Sequence, residues 1–326
     1  MNSDKEVMVF AEQHEGEINP ISYELLGKGR ELADKLGGSL SSVLFGAKIA
    51  DAAMELIYHG ADRVYLYDHP TFHELDLLNY KHNMVRLARE MNPEIFILGA
   101  THWGRSLGAR VAAALGTGLT ADCTGLEIDR NGNFVQIRPA FSGNVLAHIR
   151  TKTKPQMATV RYKVMRSLPR DANRKGEIIR KNAEIIPSLL TITRKERRDE
   201  TNIADAEVII SGGAGLKKAE DFSLLANLAG LMGATVGSSR PPVDSGWIRK
   251  EHQVGFSGNT VKPKIYFACG ISGSSQHLAG MRESDVIIAI NTDPSAPIFN
   301  IADYGIVGDL YEVVPKLIEK IKRCRA

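Results

Sequence analysis

The chain has 326 residues, 43% of them hydrophobic and 24% charged, enough for roughly two domains with cores of their own. That composition excludes a disordered tail, a collagen-like fibre and a small disulfide scaffold. Lysine and arginine number 41 against 38 aspartates and glutamates, and a formal net charge of +3 makes no strong field for nucleic acid. No apolar stretch approaches the ~18 residues of a membrane span, so neither nucleic acid nor a membrane is expected as a partner. Cys123, Cys269 and Cys324 are widely spaced, without CxxC or His-paired metal spacing, and fit a reducing compartment. The stretch Met1–Glu6 has no apolar leader core and is not arginine-rich. A bacterial cytoplasmic location is expected, or the mitochondrial matrix for a processed eukaryotic chain.

In chain order, short apolar runs alternate with longer amphipathic ones. Strands are predicted at Val7–Phe10, Leu40–Phe45, Val64–Tyr67 and Ile95–Leu98. Helices are predicted over Tyr23–Leu36, Ala47–His59 and Leu75–Met91; the first carries Leu25, Leu26, Leu32 and Leu36 at helical spacing. From about Leu119 the pattern changes: Glu127–Asp129, Asn131-Gly132 and Phe134–Arg138 read as a hairpin, and Ala158–Tyr162 as a further strand. Arg194–Glu200 is an unbroken run of seven charges, which reads as a solvated connector. The predicted organisation is an N-terminal α/β domain over 1–195, a linker over 194–203 and a second domain over 204–326. Beyond the linker the alternation restarts. Strands are predicted at Val208–Ile210, Ala234–Gly237, Ile265–Ala268 and Val286–Ile290, with helices over Ala219–Met232 and Val313–Arg323. Both halves therefore predict α/β folds, each a mostly parallel sheet flanked by helices.

The first half nearly contains a phosphate loop at Gly99–Ser106, which follows a strand and opens a helix. The lysine position holds Arg105, and bulky His102 and Trp103 stand where such a loop must curl, so an ordinary strand-to-helix turn is expected. His69 and His73 lie four apart, but Pro70 speaks against a continuous helix and a metal pair. No GxSxG nucleophile elbow is present, and no GxGxxG with a downstream acid follows a first strand, which weakens an NAD-dependent dehydrogenase.

The second half differs. Fourteen of the 30 glycines lie between Gly212 and Gly308, and glycine crowding marks backbone that turns tightly or approaches a ligand closely. Polar loops follow strand ends in succession: Gly212–Gly215, Gly237–Pro241, Gly270–His277, Asn291–Pro294 and Ala302–Asp309. Strand carboxyl ends are where open parallel sheets bind ligands. Small residues expose amides, Ser and Asn add donors, and a helix beginning after Ser274 is expected to add a positive dipole end. Val254, Phe256 and Ile271 offer apolar room for a ring system. Each loop alone reads as a turn; five in one domain suit a diphosphate-bearing cofactor, which the residues by themselves do not name.

An ordered series carries a resemblance: Gly233–Pro241, Val243–Gly246, Gln253–Gly255, Gly270–Gly273, Gln276–Met281, Ala289–Asn291, Ala296–Phe299 and Ala302–Asp309. It resembles the electron-transfer flavoprotein alpha-subunit family, through motifs confined to the second half. The resemblance implies FAD in the C-terminal domain and a heterodimer with a beta subunit, contacted by the N-terminal domain. Ser239 and the loop Ser272, Gly273, Ser274, Ser275, Gln276 and His277 would surround the phosphates, ribityl chain and ring edge. Arg240 would stabilise anionic reduced forms by its charge. Val254, Gly255, Phe256 and Ser257 would line the ring, with the Ser257 hydroxyl replacing a usual threonine near flavin N5. His277 would donate toward the C2 carbonyl, and Asn291, Asp309 and Leu310 would sit at the adenosine end.

Two positions depart from the family pattern. Ala214 stands where an arginine is usual in the first glycine loop, and Phe256 where a glutamine is usual. A lost charge-assisted bond costs ~1.5–3 kcal/mol, so weaker FAD retention, a lower one-electron potential, or both are expected. The implied function is an electron carrier rather than a substrate-converting enzyme. It would move electrons between flavoprotein dehydrogenases, such as acyl-CoA dehydrogenases, and a redox acceptor. An alternative is the alpha subunit of a flavin-based bifurcating complex using NADH and ferredoxin; the beta subunit would hold AMP in the first case and a second FAD in the other. A nucleotide-binding paralogue without redox activity is the alternative of another class.

Overall fold

Every residue of β1 (Glu6–Ala11) is buried, as expected of a strand covered on both faces. The computed structural model describes residues 5–140, 145–187, 191, 193 and 202–325, in two compact units, Met1–Arg194 and Lys195–Ala326. In the first unit β2 (Gln13–His14) and β3 (Glu17–Ile18) form a small hairpin before α1 (Pro20–Leu36), β4 (Ser39–Gly46), α2 (Ala50–Tyr58) and β5 (Arg63–Asp68). There follow α3 (Leu77–Met91), β6 (Ile95–Gly99), α4 (His102–Leu115), β7 (Leu119–Cys123), β8 (Gly125–Ile128) and β9 (Phe134–Ala140). β10 (Val145–Ile149), β11 (Gln156–Val160) and β12 (Glu177–Arg180) complete the unit.

Seven of these strands make one sheet in the order β12-β5-β4-β1-β6-β11-β7, all parallel. The flanking helix α1 shows why the pattern was readable. Asn19 caps it by accepting from the Ile21 N–H, Pro20 starts it, and Gly37 ends it in the left-handed region at φ 64°. Its leucines at positions 25, 26 and 32 are fully buried. The predicted hairpin is present as antiparallel β8 and β9, extended by β10. The Asp129 carboxylate accepts from the N–H groups of Asn131 and Asn133, both at 2.9 Å, and shapes the turn. The strand expected at Ala158–Tyr162 is shifted to Gln156–Val160, because its ladder with β6 begins at Gln156 and stops at Val160.

The second unit holds β13 (Val208–Gly212), α5 (Phe222–Met232), β14 (Thr235–Ser238), α6 (Arg240–Asp244) and β15 (Ile265–Cys269). It continues with α7 (Ser275–Leu278), β16 (Val286–Asn291), β17 (Tyr304–Val307) and α8 (Leu310–Arg325). Its sheet runs β14-β13-β15-β16-β17, parallel throughout. Along β15 the side chains alternate: Tyr266 and Ala268 enter one core layer, Phe267 and Cys269 the other. Residues 194–201 of the predicted linker lie outside the described residues. Ile203, also placed in that linker, instead opens a short 3-10 turn capped by Asn202 and is 2% exposed in the second core. Its apolar side chain is held by burial against that core, which no solvated connector offers. Among the described residues no helix is long and apolar enough to cross a membrane.

Candidate functional site

Strand order in the second sheet reverses between β13 and β15, and such a reversal opens a crevice at the strand carboxyl ends. The loops leaving these two strands touch backbone to backbone. The Gly213 N–H donates to the Cys269 carbonyl and the Gly215 N–H to that of Gly270, both at 2.9 Å. A Cβ on Gly213 would stand 2.3 Å from the Gly270 oxygen, and one on Gly215 2.7 Å from the Gly270 Cα. Gly270 and Gly273 take φ of +63° and +87°, and a Cβ on Gly273 would meet the Ile298 nitrogen at 2.4 Å. Glycine is required here by contact as well as by conformation.

Above the crevice lies a cavity of about 670 Å³, with walls contributed from the carboxyl ends of all five strands. That volume suits a cofactor-sized ligand. Ser239, directly after β14, is 7% exposed, and its N–H donates to the Gly212 carbonyl at 3.0 Å. Arg240 opens α6; its Nε meets Asp244 Oδ2 at 3.0 Å, and its side chain remains 67% exposed. Val254 is buried, and its N–H donates to the Ser238 carbonyl at 2.8 Å. Gly255, at φ +147°, lies against Gln276, whose carbonyl accepts from the Phe256 N–H at 2.7 Å. The Phe256 ring is 74% exposed at the cavity wall. Ser257 Oγ accepts from Gln253 Nε2 at 3.0 Å, which leaves the hydroxyl proton available to donate.

The loop after β15 supplies donors. Among the described residues the N–H groups of Ser272, Gly273 and Ser274 find no protein acceptor, although all three residues line the cavity. Partnerless peptide donors around a glycine-shaped crevice fit an anionic diphosphate. The expected helix after Ser274 is α7, only four residues long, so its dipole is slight. Gln276 and His277 reach the cavity, whereas Ser275, between Ser274 and Gln276, is exposed and not among its lining residues.

His277 lines the cavity and is held by two groups of the chain itself. Its Nδ1 lies 3.0 Å from the Val254 carbonyl and its Nε2 3.2 Å from the Tyr266 hydroxyl. A carbonyl only accepts, so the ring proton is on Nδ1 and Nε2 accepts from Tyr266. Burial lowers its pKa to about 4 and keeps the imidazole neutral. The Nδ1 proton is thus given to the chain's own backbone, at the Val254 carbonyl.

Asn291 Nδ2 donates to the Ile271 carbonyl at 2.9 Å, and the Asp309 carboxylate caps α8 by accepting from the Tyr311 N–H at 2.8 Å. Leu310 is buried beside it. The cavity also includes Lys217 and Tyr311, which sequence reasoning missed. They are 94 positions apart, yet the Lys217 N–H donates to the Tyr311 hydroxyl at 2.9 Å. Folding brings them together by packing α8 against α5, the helix that follows the Lys217 loop.

The rejected motifs have ordinary roles. Thr101 caps α4 by accepting from the Gly104 N–H at 2.9 Å, and Arg105 Nε donates to the Ala100 carbonyl at 2.7 Å. The Glu12 carboxylate sits against the Thr101 hydroxyl at 2.6 Å, filling the place a phosphate would need. His69 caps a 3-10 turn, Pro70–His73, through Nδ1.

Residues 7–185 match the family described as "Electron transfer flavoprotein domain", and residues 202–282 the "Electron transfer flavoprotein FAD-binding domain". The chain is 47% identical to "Electron transfer flavoprotein subunit alpha" of Thermoanaerobacterium thermosaccharolyticum, over 100% of both chains. It is 47% identical to "Protein FixB" of Clostridium saccharobutylicum, over 98% of this chain and 96% of that one. It is 42% identical to "Lactate dehydrogenase (NAD(+),ferredoxin) subunit LctC" of Acetobacterium woodii, over 97% of this chain and 77% of that one. With a glycine-shaped crevice in the matched FAD-binding segment, the chain belongs to the electron transfer flavoprotein alpha-subunit family.

Proposed function

We propose that this chain holds FAD across the five strand ends of its second unit and, paired with a beta subunit, carries electrons between flavoprotein dehydrogenases and a redox acceptor. Acyl-CoA dehydrogenases are the proposed class of donor. The observation that carries this reading is the partnerless peptide donors of Ser272–Ser274 opening into a cavity of about 670 Å³ at the switch point. FAD supplies the electron-accepting chemistry; the chain supplies position, charge and shelter from water. Peptide N–H groups of the Ser272–Ser274 loop bind the diphosphate. Val254 and Phe256 wall the ring, the Ser257 hydroxyl donates to its edge, and the Arg240 guanidinium lends positive charge that lysine would not reproduce in geometry. His277 and Tyr266 hold that wall in place through Val254.

The beta subunit is proposed to carry the second nucleotide, AMP in a simple carrier. The test is co-purification with the beta subunit, flavin counting and stepwise reduction. One flavin per heterodimer and absorbance between 350 and 500 nm are expected; a colourless heterodimer that ignores added FAD would show a nucleotide-binding paralogue instead. The similarity to a subunit named for NAD(+) and ferredoxin favours a second reading, an electron-bifurcating complex, for which two flavins per heterodimer are expected.

A further inference from the structure

Four charged side chains line the cavity: Lys217, Arg240, Asp293 and Asp309. Two carboxylates beside an anionic ligand are unfavourable unless cations offset them. Arg240 is already engaged by Asp244 at 3.0 Å. The first glycine loop offers no charge at Ala214. Lys217 follows in the same loop, and among the described residues no carboxylate stands within ion-pair distance of its Nζ. Its ammonium rests instead over the Tyr311 ring, 4.7 Å from the centroid. That perch is built. The Lys217 N–H donates to both the Tyr311 hydroxyl at 2.9 Å and Asp221 Oδ2 at 3.1 Å, and the Tyr311 hydroxyl donates to the same carboxylate. The peptide of Lys217 is thereby fixed. A cation–π contact at an exposed site is weak and readily exchanged for an anion.

We infer that Lys217, from its place over the Tyr311 ring, is the cation that engages the diphosphate of the bound dinucleotide. The inference rests on the FAD reading above and adds a residue to it.

The test uses the apo-heterodimer, titrated with FAD and separately with riboflavin, which lacks phosphate, at low and high salt. Lys217→Met is expected to raise the Kd for FAD by roughly tenfold or more, the loss of one charge-assisted contact, and to flatten its salt dependence. Riboflavin binding should be unchanged, and Lys217→Arg should keep most of the FAD affinity. Equal FAD affinity and salt dependence in Lys217→Met would overturn the inference, as would an equal loss for FAD and riboflavin. An unsubstituted heterodimer that binds riboflavin and FAD equally weakly would overturn the FAD reading itself, whatever Lys217 does.

Discussion

The Tyr266 hydroxyl donates to His277 Nε2 across 3.2 Å in a layer where both side chains are buried, so the histidine beside the cavity is a neutral acceptor on one edge and a backbone donor on the other. Its depressed pKa has a direct consequence for stability. Between about pH 6.5 and 4 the unfolded chain binds a proton at His277 and the folded chain does not, so stability falls as pH drops through that window and is unaffected above it. The full effect is on the order of 3 kcal/mol. Urea unfolding at pH 4.5 to 7 should show this slope in the unsubstituted chain and a shallower one in His277→Gln; parallel slopes would place the histidine in a solvated site.

The glycines of the second unit separate into two classes. A Cβ on Gly213 meets backbone at 2.3 Å, whereas one on Gly230, on the exposed side of α5, meets nothing within 4 Å. Gly213→Ala should lower stability by roughly 1–3 kcal/mol and weaken FAD binding. Gly230→Ala should stabilise by roughly 0.5–1 kcal/mol through helix propensity alone, with FAD binding unchanged. Thermal melts and FAD titrations of the two variants check the contrast.

Ala214 lines the cavity without charge. Ala214→Arg should tighten FAD binding by roughly tenfold or more and raise the one-electron potential, since a fixed cation favours the more negative reduced forms. Its gain should not add fully to that of Lys217, because both cations would address one diphosphate. Unchanged affinity and potential would show that the loop lies away from the ligand's charge.

Thiol chemistry should distinguish the three cysteines. Cys123 and Cys269 are buried, with burial pushing each thiol up to about 12, whereas Cys324 is exposed near the end of α8. Alkylation of the native chain should mark Cys324 alone, and all three after unfolding, as read by peptide mass spectrometry.

Central strands were legible because burial on both faces demands unbroken apolar runs: Val7–Phe10 and Leu40–Phe45 lie wholly within β1 and β4. Edge strands carry no such demand. Tyr304–Val307, read as a polar loop, is β17 at the sheet margin with no fully buried residue, and Val145–Ile149 is likewise mostly exposed. The site was legible where glycine and serine crowd after a strand. Lys217 and Tyr311 were not, since their meeting depends on the order of strands and not on any local pattern. His277 was found at the wall, but its hydrogen-bond partners are fixed by Val254 and Tyr266, which no spacing announces.

The donors proposed to hold the diphosphate at Ser272–Ser274 belong to the main chain, and that determines which experiments can see them. Replacing either serine by alanine keeps every amide in place, so the two serine variants are expected to read as silent, whereas Gly273 cannot take a Cβ without meeting the Ile298 nitrogen. Exchanging single amides for esters by chemical ligation removes one proton donor at a time and leaves shape intact. Affinity loss should then localise to positions that mutagenesis leaves blank.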